Sequence, residues 1–484
     1  MTNTQFPANP LQEEGFQNIY RQPYEQSVDL DIDLLQKLNS PLPRYTSYPT
    51  APEWESMPQL SYINKIQELD KVAQDLSLYF HIPFCRRMCL FCGCSVTLNR
   101  NMQIQDKYVD HLIKEIDLVT KLLKKEHTVR QIHFGGGTPT QLTEDQFQKL
   151  FDHIKQSFSI DFSSEVAMEI DPRTVSADQG KKLRFLKDLG FNRVSFGVQD
   201  TNEKVQEAIK RRQSYEQSRD TLLMARDMGY KSINLDLIYG LPFQTIESFD
   251  ETTDKILEMR PSRIAMYSFA RTPWLKPHQK AIKEENLPST EDKFRIYTAA
   301  RKKLIEAGYL AIGMDHFVLR NDDMAKAFFR KKLQRNFQGY SIKFAEHLIG
   351  FGVSSTGFVE NAYFQNVKSL DEYYDCISQN ILPIFKGKIL NDDDIVRQWV
   401  ISSLMCEFEV RKEEFQNKFH KSFDETFSEE LLTLQNTEFT ELVTNHETTL
   451  SPTPQGKLFI RNIAAVFDAY LKKPSTEPRF SNAV

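Results

Sequence analysis

The chain lacks the segments that mark membrane-spanning and secreted proteins. No apolar run in its 484 residues approaches the roughly 18 that a transmembrane helix needs, so we expect no membrane span. Residues 1–15 are polar and contain Glu13 and Glu14, which fits neither a signal peptide nor an arginine-rich transit peptide. Cysteines are few, six in all, and without a secretory signal they indicate free thiols in a reducing compartment. We therefore expect a cytoplasmic protein.

An excess of positive charge is also missing. The 61 lysines and arginines stand against 66 acidic residues, and the net charge of −5 leaves no basic footprint for nucleic acid. The sequence contains no internal repeat and no long low-complexity tract. Its 40% hydrophobic content, with 35 Phe and 18 Tyr, is ample for a folded core. The length exceeds one core, which predicts two domains or one large domain with an appendage.

The cysteines that are present are concentrated in one place. Four of the six lie within ten positions: Cys85, Cys89, Cys92 and Cys94. Disulfides fit such a short loop badly, because a bridge needs a suitable separation and direction of the two Cβ atoms. Residues 76–82, just before the loop, are apolar and aromatic and predict a buried strand that ends at Pro83. The thiols therefore follow the C-terminal end of a strand, where α/β folds place their chemistry.

Two kinds of metal site compete for this loop. A structural zinc ion takes four protein ligands, which the four cysteines could supply, although the Cys-x-Cys spacing is cramped beside paired Cys-x-x-Cys knuckles. An iron–sulfur cluster is also held by thiolates. If only Cys85, Cys89 and Cys92 bind, the fourth iron of such a cluster is left open. The spacing favours iron–sulfur and leaves zinc as the alternative.

Strand-like and helix-like stretches alternate after the cysteine loop. With the strand before the loop, six strands are predicted, at residues 76–82, 129–134, 165–170, 192–198, 231–238 and 263–269. Helical spacing lies between them, as at 106–123 and 144–158, and Thr143 with Gln146 predicts a capping box for the second of these helices. Repeated units of this length indicate a parallel sheet with right-handed crossovers. Six strands are too few for a closed eight-stranded barrel.

The ends of the predicted strands carry polar groups suited to a ligand. In a parallel barrel, ligand-binding residues collect at the C-terminal strand ends, which here are the glycine-rich loop 135–140, Glu169, Gln199, Asp236 and Ala270. Glycine amides, carboxylates and a side-chain amide have the character needed to hold a zwitterionic nucleoside. Each has an ordinary structural explanation when taken singly, as a tight turn or a helix cap. Together at one rim they favour a ligand site.

The regions outside the strand–helix repeat are divided by composition. Residues 1–28 are polar and expected to be mobile, and composition alone makes the proline-rich stretch 41–51 an extended linker. From about Asp392 the sequence is mostly amphipathic helix and ends in a glycine-containing turn that would also suit a winged helix. Because that region is not basic, we expect a small helical domain without a DNA role. The predicted division is an N-terminal extension at 1–70 that contributes to the active site, a barrel with its following strands at 71–385, a helical domain at 386–472 and a polar tail at 473–484.

The motif Cys-x3-Cys-x2-Cys resembles the signature of the radical S-adenosylmethionine (SAM) enzymes, which lies on the loop after their first barrel strand. His81-Ile-Pro-Phe84, Gly93-Cys94 and the segment Arg44-Tyr-Thr-Ser-Tyr-Pro-Thr50 are similar specifically to the oxygen-independent coproporphyrinogen III oxidases. The resemblance covers about residues 30–472. It implies an α/β fold, a partial (β/α)6 TIM-like barrel with an N-terminal extension and a mostly helical C-terminal domain.

The resemblance also implies the residues of the site. Three cysteines, Cys85, Cys89 and Cys92, would hold a [4Fe–4S] cluster whose fourth iron takes the amino and carboxylate groups of a SAM. That first SAM would be contacted by Tyr79, Gly136, Glu169 and Thr356. A second SAM would be lined by Gly137, Thr138, Gln199, Arg211, Asp236 and Ala270. Cys94 matches a cysteine that the family carries without using it as a ligand, so an accessory role stays open, and no catalytic side chain is assigned. Arg44, Tyr45 and Arg271 are the candidates for substrate contact.

The implied reaction is radical chemistry on a tetrapyrrole. A 5′-deoxyadenosyl radical would remove hydrogen from the β-carbon of a propionate, and loss of CO2 and one electron would leave a vinyl group. Two such steps convert coproporphyrinogen III to protoporphyrinogen IX in anaerobic haem biosynthesis. The implied partners are this substrate, a low-potential electron donor and an electron acceptor, and the chain is expected to be a monomer.

Three other functions remain to be weighed against this one. They are a related haem chaperone, a haem-degrading radical SAM methyltransferase and a zinc-braced scaffold without redox chemistry. Gly93-Cys94 and the N-terminal segment 44–50 argue against the chaperone. The sequence departs from the family pattern at Arg271, where His is usual, and at Thr356, where a branched apolar residue is usual.

Overall fold

A computed structural model describes residues 32–342, 345–472 and 479–483. Residues 1–28, which are predicted to be mobile, lie outside the described residues, as does most of the predicted polar tail at 473–484. Within the described ranges, no helix combines the length and the apolar character that crossing a bilayer requires.

The described residues form twenty strands. In chain order they are β1 (Glu55–Ser56), β2 (Asp75–Ile82), β3 (Phe84–Cys85), β4 (Thr97–Leu98), β5 (Thr128–Gly136), β6 (Ser159–Ile170), β7 (Arg193–Gln199), β8 (Ser232–Tyr239), β9 (Arg263–Ser268), β10 (Tyr309–Ile312), β11 (His316–Leu319), β12 (Leu333–Asn336), β13 (Gly339–Ile342), β14 (His347–Phe351), β15 (Thr356–Val359), β16 (Ala362–Asn366), β17 (Ile384–Ile389), β18 (Val410–Arg411), β19 (Val443–Asn445) and β20 (Thr449–Pro452).

The same residues form seventeen α-helices. They are α1 (Ile32–Leu38), α2 (Gln59–Leu69), α3 (Met102–Thr120), α4 (Glu144–Ser157), α5 (Pro172–Val175), α6 (Lys181–Asp188), α7 (Glu203–Ala208), α8 (Tyr215–Asp227), α9 (Ile246–Met259), α10 (Thr290–Glu306), α11 (Asp323–Phe329), α12 (Leu370–Ser378), α13 (Asp392–Glu407), α14 (Lys412–Phe419), α15 (Phe423–Thr426), α16 (Ser428–Gln435) and α17 (Ile460–Val466). Short 3-10 helices lie at Ala51–Glu53, Pro139–Gln141, Pro277–Ala281, Glu284–Asn286 and Gly456–Phe459.

One mixed sheet of thirteen strands organises the molecule. Its centre is a run of seven parallel strands in the order β14-β2-β5-β6-β7-β8-β9. The six predicted strands are confirmed as β2 and β5 to β9, lying side by side in chain order. Antiparallel strands extend both flanks, with β15, β16, β17 and β1 beyond β14 and with β11 and β10 beyond β9. The two outermost strands, β1 and β10, do not pair, which confirms the partial barrel.

Strand alternation separates a helix-covered face from a cavity face. Phe80 of β2 stacks between Phe134 of β5 and Phe351 of β14, with ring centroids 4.8 and 5.1 Å apart. Phe134 also packs on Phe147 of α4, so these rings lie on the helix side of the sheet. Burying one such side chain contributes about 1.5–3 kcal/mol. Since neighbouring residues of a strand point to opposite faces, Tyr79 is turned towards the cavity.

The two ends of the chain meet in a second hydrophobic cluster. Leu35 and Leu38 of α1 are buried together with apolar residues of α13 to α17. Arg461 of α17 fastens this contact, because it donates hydrogen bonds to the carbonyls of Leu42, of Pro43 at 3.0 Å and of Ala483 at 2.8 Å. The C-terminal region is mostly helical, as predicted, and adds a small antiparallel sheet in the order β18-β20-β19. The predicted boundaries at residues 70, 385 and 472 stay predictions.

Candidate active site

A cavity of about 630 Å³ lies between the C-terminal ends of the parallel strands and the cysteine loop. It brings together most of the residues that the sequence and the resemblance singled out. Those lining it are Arg44, Cys85, Cys89, Cys92, Cys94, Gly136, Gly137, Thr138, Glu169, Gln199, Arg211 and Asp236. The lining does not include Tyr45, Tyr79, Ala270, Arg271 or Thr356.

The cysteine loop is closed at its base by backbone hydrogen bonds. β3 pairs with β4 immediately after β2, and the amide of Thr97 donates to the carbonyl of Pro83 at 2.7 Å. Further along, the amide of Leu90 donates to the carbonyl of Ile209 at 3.0 Å, and the Leu90 side chain is buried among residues that follow β7 to β9. The loop is therefore fixed at both its base and its middle.

A second set of contacts holds the loop from the side of β9. Lys276 donates to the carbonyl of Cys94 and His278 to that of Cys92, each at 2.8 Å. Gln279 donates to the carbonyls of Phe91 at 3.1 Å and Ala270 at 3.2 Å. Ala270 thus lies behind the cysteine loop although it does not line the cavity. Sequence reasoning missed these three side chains, because nothing in their spacing indicates which carbonyls they would meet.

The glycine-rich loop after β5 packs directly on the cysteine loop. Gly136 has a φ of +108°, and a Cβ there would lie 2.5 Å from the His81 ring. A Cβ on Gly137 would lie 2.6 Å from the carbonyl oxygen of Pro83, and its amide donates to the carbonyl of Ile82 at 2.8 Å. Only glycine satisfies both the positive φ and the close approach. The Thr138 hydroxyl is then brought to 3.5 Å from the Cys85 sulfur.

Glu169, at the end of β6, is held as a carboxylate next to this loop. It accepts hydrogen bonds from the Gly136 amide at 3.1 Å and from His133 at 3.3 Å. Burial opposes ionisation, but the contacts with His133 and Gly136 bring the pKa of Glu169 below its usual value. A negatively charged acceptor therefore faces the cavity beside backbone amides.

The neighbouring acid, Asp236 of β8, has the opposite tendency. Its two carboxylate oxygens accept from the Ser195 hydroxyl at 3.0 Å and from the Asn234 amide at 2.7 Å. Burial, together with the nearby charge of Glu169, raises the pKa of Asp236 to about 6. The buried Oδ1 of Asn234 has no hydrogen-bond partner within the described ranges. The cavity is therefore lined by one acid that is charged, Glu169, and by one that is readily protonated, Asp236.

Arg211 connects the cysteine loop to the strand ends. It donates to the Gly197 carbonyl at 2.6 Å, and its other terminal nitrogen lies 3.4 Å from Asp171 and 3.6 Å from the Cys89 sulfur. Its Nε is buried without a hydrogen-bond partner in the described part of the chain. Gln199, with a φ of +71°, ends the adjoining strand β7. The Arg211 guanidinium is therefore fixed at the cavity wall, and its Nε–H remains available for a ligand.

Tyr79 and Thr356 lie just outside the lining. The Tyr79 hydroxyl is 3.0 Å from Nδ1 of His81, and the Tyr79 ring stacks on His133 with centroids 6.0 Å apart. Thr356 is buried at the start of β15, and a Cβ on Gly350 of β14 would lie 2.4 Å from its carbonyl oxygen. Their predicted SAM contacts stay predictions.

The three candidate substrate residues are placed in three different environments. Arg44 lines the cavity and donates to the Ser268 carbonyl at 2.5 Å, and its buried Nε has no partner among the described atoms. Tyr45 instead enters the C-terminal hydrophobic cluster and donates to Asp468 at 3.1 Å. Arg271 pairs with Glu284 and lies away from the lining. Arg44 alone of the three is at the cavity.

The cavity also contains charged and aromatic residues that the sequence did not single out. Among them are His133, Arg173, Arg193, Tyr267, His316 and Arg335. Arg193 pairs with Glu165 at 2.8 Å, whereas Arg335 pairs with Asp315 at 3.2 Å. Periodicity could not reveal them because they lie on the helix α5 and on the strands β5, β7, β9, β11 and β12, which become neighbours only through the folded sheet.

The donor chemistry of the loop fits an iron–sulfur cluster better than a zinc ion. Structural zinc needs four ligands converging on one point. In the described residues, no three Cys, His, Asp or Glu side chains converge in that way. A cluster does not require convergence on one ion, because each thiolate binds a different iron. The free thiols of Cys85, Cys89 and Cys92 line the same cavity as the acids and the glycine-rich loop that suit a nucleoside.

Comparisons with known proteins agree with this arrangement. A model described as the radical SAM superfamily matches residues 79–256, and one described as the HemN C-terminal domain matches residues 390–459. The chain is 40% identical over 463 residues to an oxygen-independent coproporphyrinogen III oxidase of Synechocystis sp., a match covering 95% of this chain and 99% of that protein. It is 37% identical over 460 residues to the enzyme of that name from Escherichia coli, with coverages of 95% and 99%.

A solved structure extends the similarity to three dimensions. Coproporphyrinogen III oxidase (HemN) from Escherichia coli, described as a radical SAM enzyme, is similar with a TM-score of 0.86 and 36% identity. The match covers 92% of this chain and all of that one. With its cysteine triplet, parallel strand ends and helical C-terminal region, the chain belongs to the oxygen-independent coproporphyrinogen III oxidase family of radical SAM enzymes.

Proposed function

We propose that this chain catalyses the oxidative decarboxylation of two propionates of coproporphyrinogen III to vinyl groups, giving protoporphyrinogen IX in anaerobic haem biosynthesis. The observation that carries the proposal is that one cavity is lined by the three free thiols Cys85, Cys89 and Cys92 together with Glu169, Asp236 and Arg211. A bound [4Fe–4S] cluster and SAM would supply the one-electron cleavage that generates a hydrogen-abstracting carbon radical.

Cys85, Cys89 and Cys92 are proposed to hold the cluster, with the loop contacts fixing where its open iron points. The Arg211 guanidinium donates to the Cys89 sulfur at 3.6 Å and so helps to fix the position of that side chain. Burial raises the pKa of the Cys85 thiol to about 11, so cluster binding at this position displaces a proton. Cys94, exposed at the loop's end, is not needed as a ligand.

The strand ends are proposed to hold two SAM molecules. The Glu169 carboxylate suits the ammonium of the first, and Gly136, whose amide holds Glu169 in place, is proposed to contact it as well, with Tyr79 and Thr356 shaping the site from behind. Gly137, Thr138, Gln199, Arg211, Asp236 and Ala270 are the proposed surroundings of the second. There the spare Nε–H of Arg211 suits a carboxylate, and Asp236 suits ribose hydroxyls or an amine.

Arg44 is proposed to bind a propionate of the substrate. The tetrapyrrole carries four carboxylates, and a cation already paired with a protein acid is less available to them. Arg193 and Arg335 are paired in that way, whereas within the described ranges the Arg44 side chain bonds only a carbonyl and its Nε–H has no partner. Tyr45 and Arg271 are not included in this proposed contact, because neither lines the cavity.

Each of the two decarboxylations needs one electron to enter and another to leave. A low-potential electron donor and an electron acceptor are therefore part of the proposal, as are a monomeric chain and a cytoplasmic location. The chemistry also requires that bound ligands cover the cavity, because a reactive carbon radical has to be kept from water and oxygen.

Anaerobic incubation of the reconstituted protein with coproporphyrinogen III, SAM and a chemical reductant tests the proposal. We expect protoporphyrinogen IX and CO2, with none formed when SAM is left out. A protein that contains the cluster and binds haem but forms no vinyl product would contradict the enzyme and favour the chaperone. A colourless protein with stoichiometric zinc would rule out radical chemistry altogether.

A further inference from the structure

An aspartate–histidine pair at the wall of the cavity has no part in the scheme above. Asp315 and His316 precede and begin β11, and both are almost completely buried, with 2% and 3% of their surfaces exposed. Nδ1 of His316 lies 2.6 Å from one oxygen of Asp315, and Arg335 lies 3.2 Å from the other oxygen. The imidazole is therefore fixed by its neighbour in the chain and presented at the cavity.

The partner of Nδ1 determines which nitrogen carries the proton. Arg335 and His316 hold the pKa of Asp315 below its usual range although burial opposes this, so Asp315 is a carboxylate and can only accept. Nδ1 of His316 must then be the donor. Burial lowers the pKa of His316, although Asp315 opposes this, and the neutral ring leaves a lone pair on Nε2. Nε2 has no hydrogen-bond partner among the residues that the structure describes.

The edge of the ring that bears Nε2 is left open by a glycine. Gly339 lines the cavity with a φ of +94°, and a Cβ there would lie 3.3 Å from Cε1 and 3.7 Å from Nε2 of His316. The same Cβ would lie 3.1 Å from the Tyr267 hydroxyl, which also has no partner in the described ranges. The Tyr267 and His316 rings are edge-to-face, with centroids 5.9 Å apart. Nε2 of His316 and the Tyr267 hydroxyl, neither of which has a partner in the described residues, therefore border the same open space beside Gly339.

We propose that Nε2 of His316, held as an acceptor by Asp315 and flanked by the Tyr267 hydroxyl, receives a pyrrole N–H of the substrate. This inference rests on the function proposed above and adds a reason for selectivity. Every ring nitrogen of a porphyrinogen carries hydrogen and donates, whereas half of those in an oxidised porphyrin are acceptors. A lone pair fixed in one direction favours the reduced macrocycle.

A carboxylate is the less suitable occupant of this point. Its oxygens would face the lone pair of Nε2, which is also an acceptor, and the negative charge of Asp315 behind the ring, so it would be repelled by both. Arg335 is engaged with Asp315 and with the Arg44 carbonyl at 2.9 Å, so it does not turn its charge to this point. Propionates are better placed at Arg44, which leaves the ring nitrogens for His316.

Anaerobic binding measurements on the reconstituted protein with SAM but without reductant test this proposal. The readout is the ratio of the Kd values for oxidised coproporphyrin III and for coproporphyrinogen III. We expect wild type to prefer the porphyrinogen, and His316→Leu to weaken porphyrinogen binding about tenfold with a smaller effect on the porphyrin, because one hydrogen bond is lost. His316→Gln retains an acceptor oxygen, so it should restore porphyrinogen affinity, while its NH2 group should improve porphyrin binding and lower the ratio.

His446→Leu, at an exposed position between β19 and β20, is the matched control and should keep the wild-type ratio. Cluster absorption reports whether each variant is folded and loaded. If His316→Leu fails to fold, His316→Gln decides: an unchanged ratio overturns the proposal. A wild type that binds both macrocycles equally well overturns it too. Vinyl product measured after a reductant is added to the same preparation separates the two hypotheses, because its absence refutes the proposed function while the ratio still reports the histidine contact.

Discussion

The buried carboxyl group of Glu115 offers a quantitative test of how the turn after β14 is held. Its side chain on α3 accepts three hydrogen bonds, each 2.7 Å long, from the Gly352 amide, the Tyr373 hydroxyl and the Asn366 side chain. It therefore links the helix α3 to three other elements, the turn that leads to Thr356, the end of β16 and the helix α12. Burial raises the pKa of Glu115 from 4.5 to about 7 although these donors oppose the shift.

Glu115→Gln removes the titration and leaves a group of the same shape. Between pH 4.5 and 7 the folded wild type retains a proton that the unfolded chain has released, so the stability contributed by this group falls as pH rises. With a folded pKa of about 7, the unfolding free energy of wild type relative to Glu115→Gln should fall by about 2.5 kcal/mol between pH 5 and pH 8. The glutamine NH2 also faces the Asn366 donor, which costs about 1–3 kcal/mol at every pH.

Urea unfolding of both proteins at four pH values between 5 and 8 measures the difference. Glu126→Gln, which changes an exposed carboxyl group beyond the end of the same helix, is the control and should follow wild type throughout. Unfolding free energies of wild type and Glu115→Gln that run parallel from pH 5 to pH 8 would refute the reasoning.

Three further substitutions test the proposed site. Cys89→Ser should lose the visible absorption of the cluster while Cys376→Ser, on α12, retains it, and full absorption in the first would remove Cys89 from the ligand set. Arg211→Ala should retain the cluster but release CO2 at least tenfold more slowly, unlike Arg219→Ala on the outer helix α8, and undiminished turnover would show that the guanidinium is not used. Gly136→Ala should lower SAM affinity at least tenfold, because a Cβ would lie 2.5 Å from the His81 ring, and wild-type titration curves would contradict that close approach.

Local patterns in the sequence were sufficient for the parallel strands and their helices. The six strands could be predicted because each is a short apolar stretch followed by a helix, and neighbours in the chain are neighbours in the sheet. The capping box of Thr143 and Gln146 is confirmed for α4. The seventh parallel strand, β14, could not be predicted in this way. It joins β2 from far along the chain, and its partner is set by tertiary packing rather than by its own five residues.

The candidate site was predictable only where a residue ends a strand or belongs to a motif. Glu169, Gln199 and Asp236 follow from strand ends, and the cavity contains all three. Arg44 and Tyr45 are neighbours in one motif, yet one faces the cavity and the other packs in the C-terminal cluster, a difference that composition does not encode. The contact of His316 with Asp315 needed the fold, because only the turn into β11 directs the ring to the cavity.

The hydrogen bonds of Arg461 have a consequence for how the enzyme is made. They bind the backbone just before Arg44 to α17 and to residue 483, so the segment that starts one wall of the cavity is secured by residues synthesised much later. A nascent protein can complete its parallel strands as they leave the ribosome, but this wall has to wait until α17 has emerged. A barrel fragment lacking the C-terminal region should therefore present an open cleft, and any cluster loaded before α17 is in place would be exposed to oxygen.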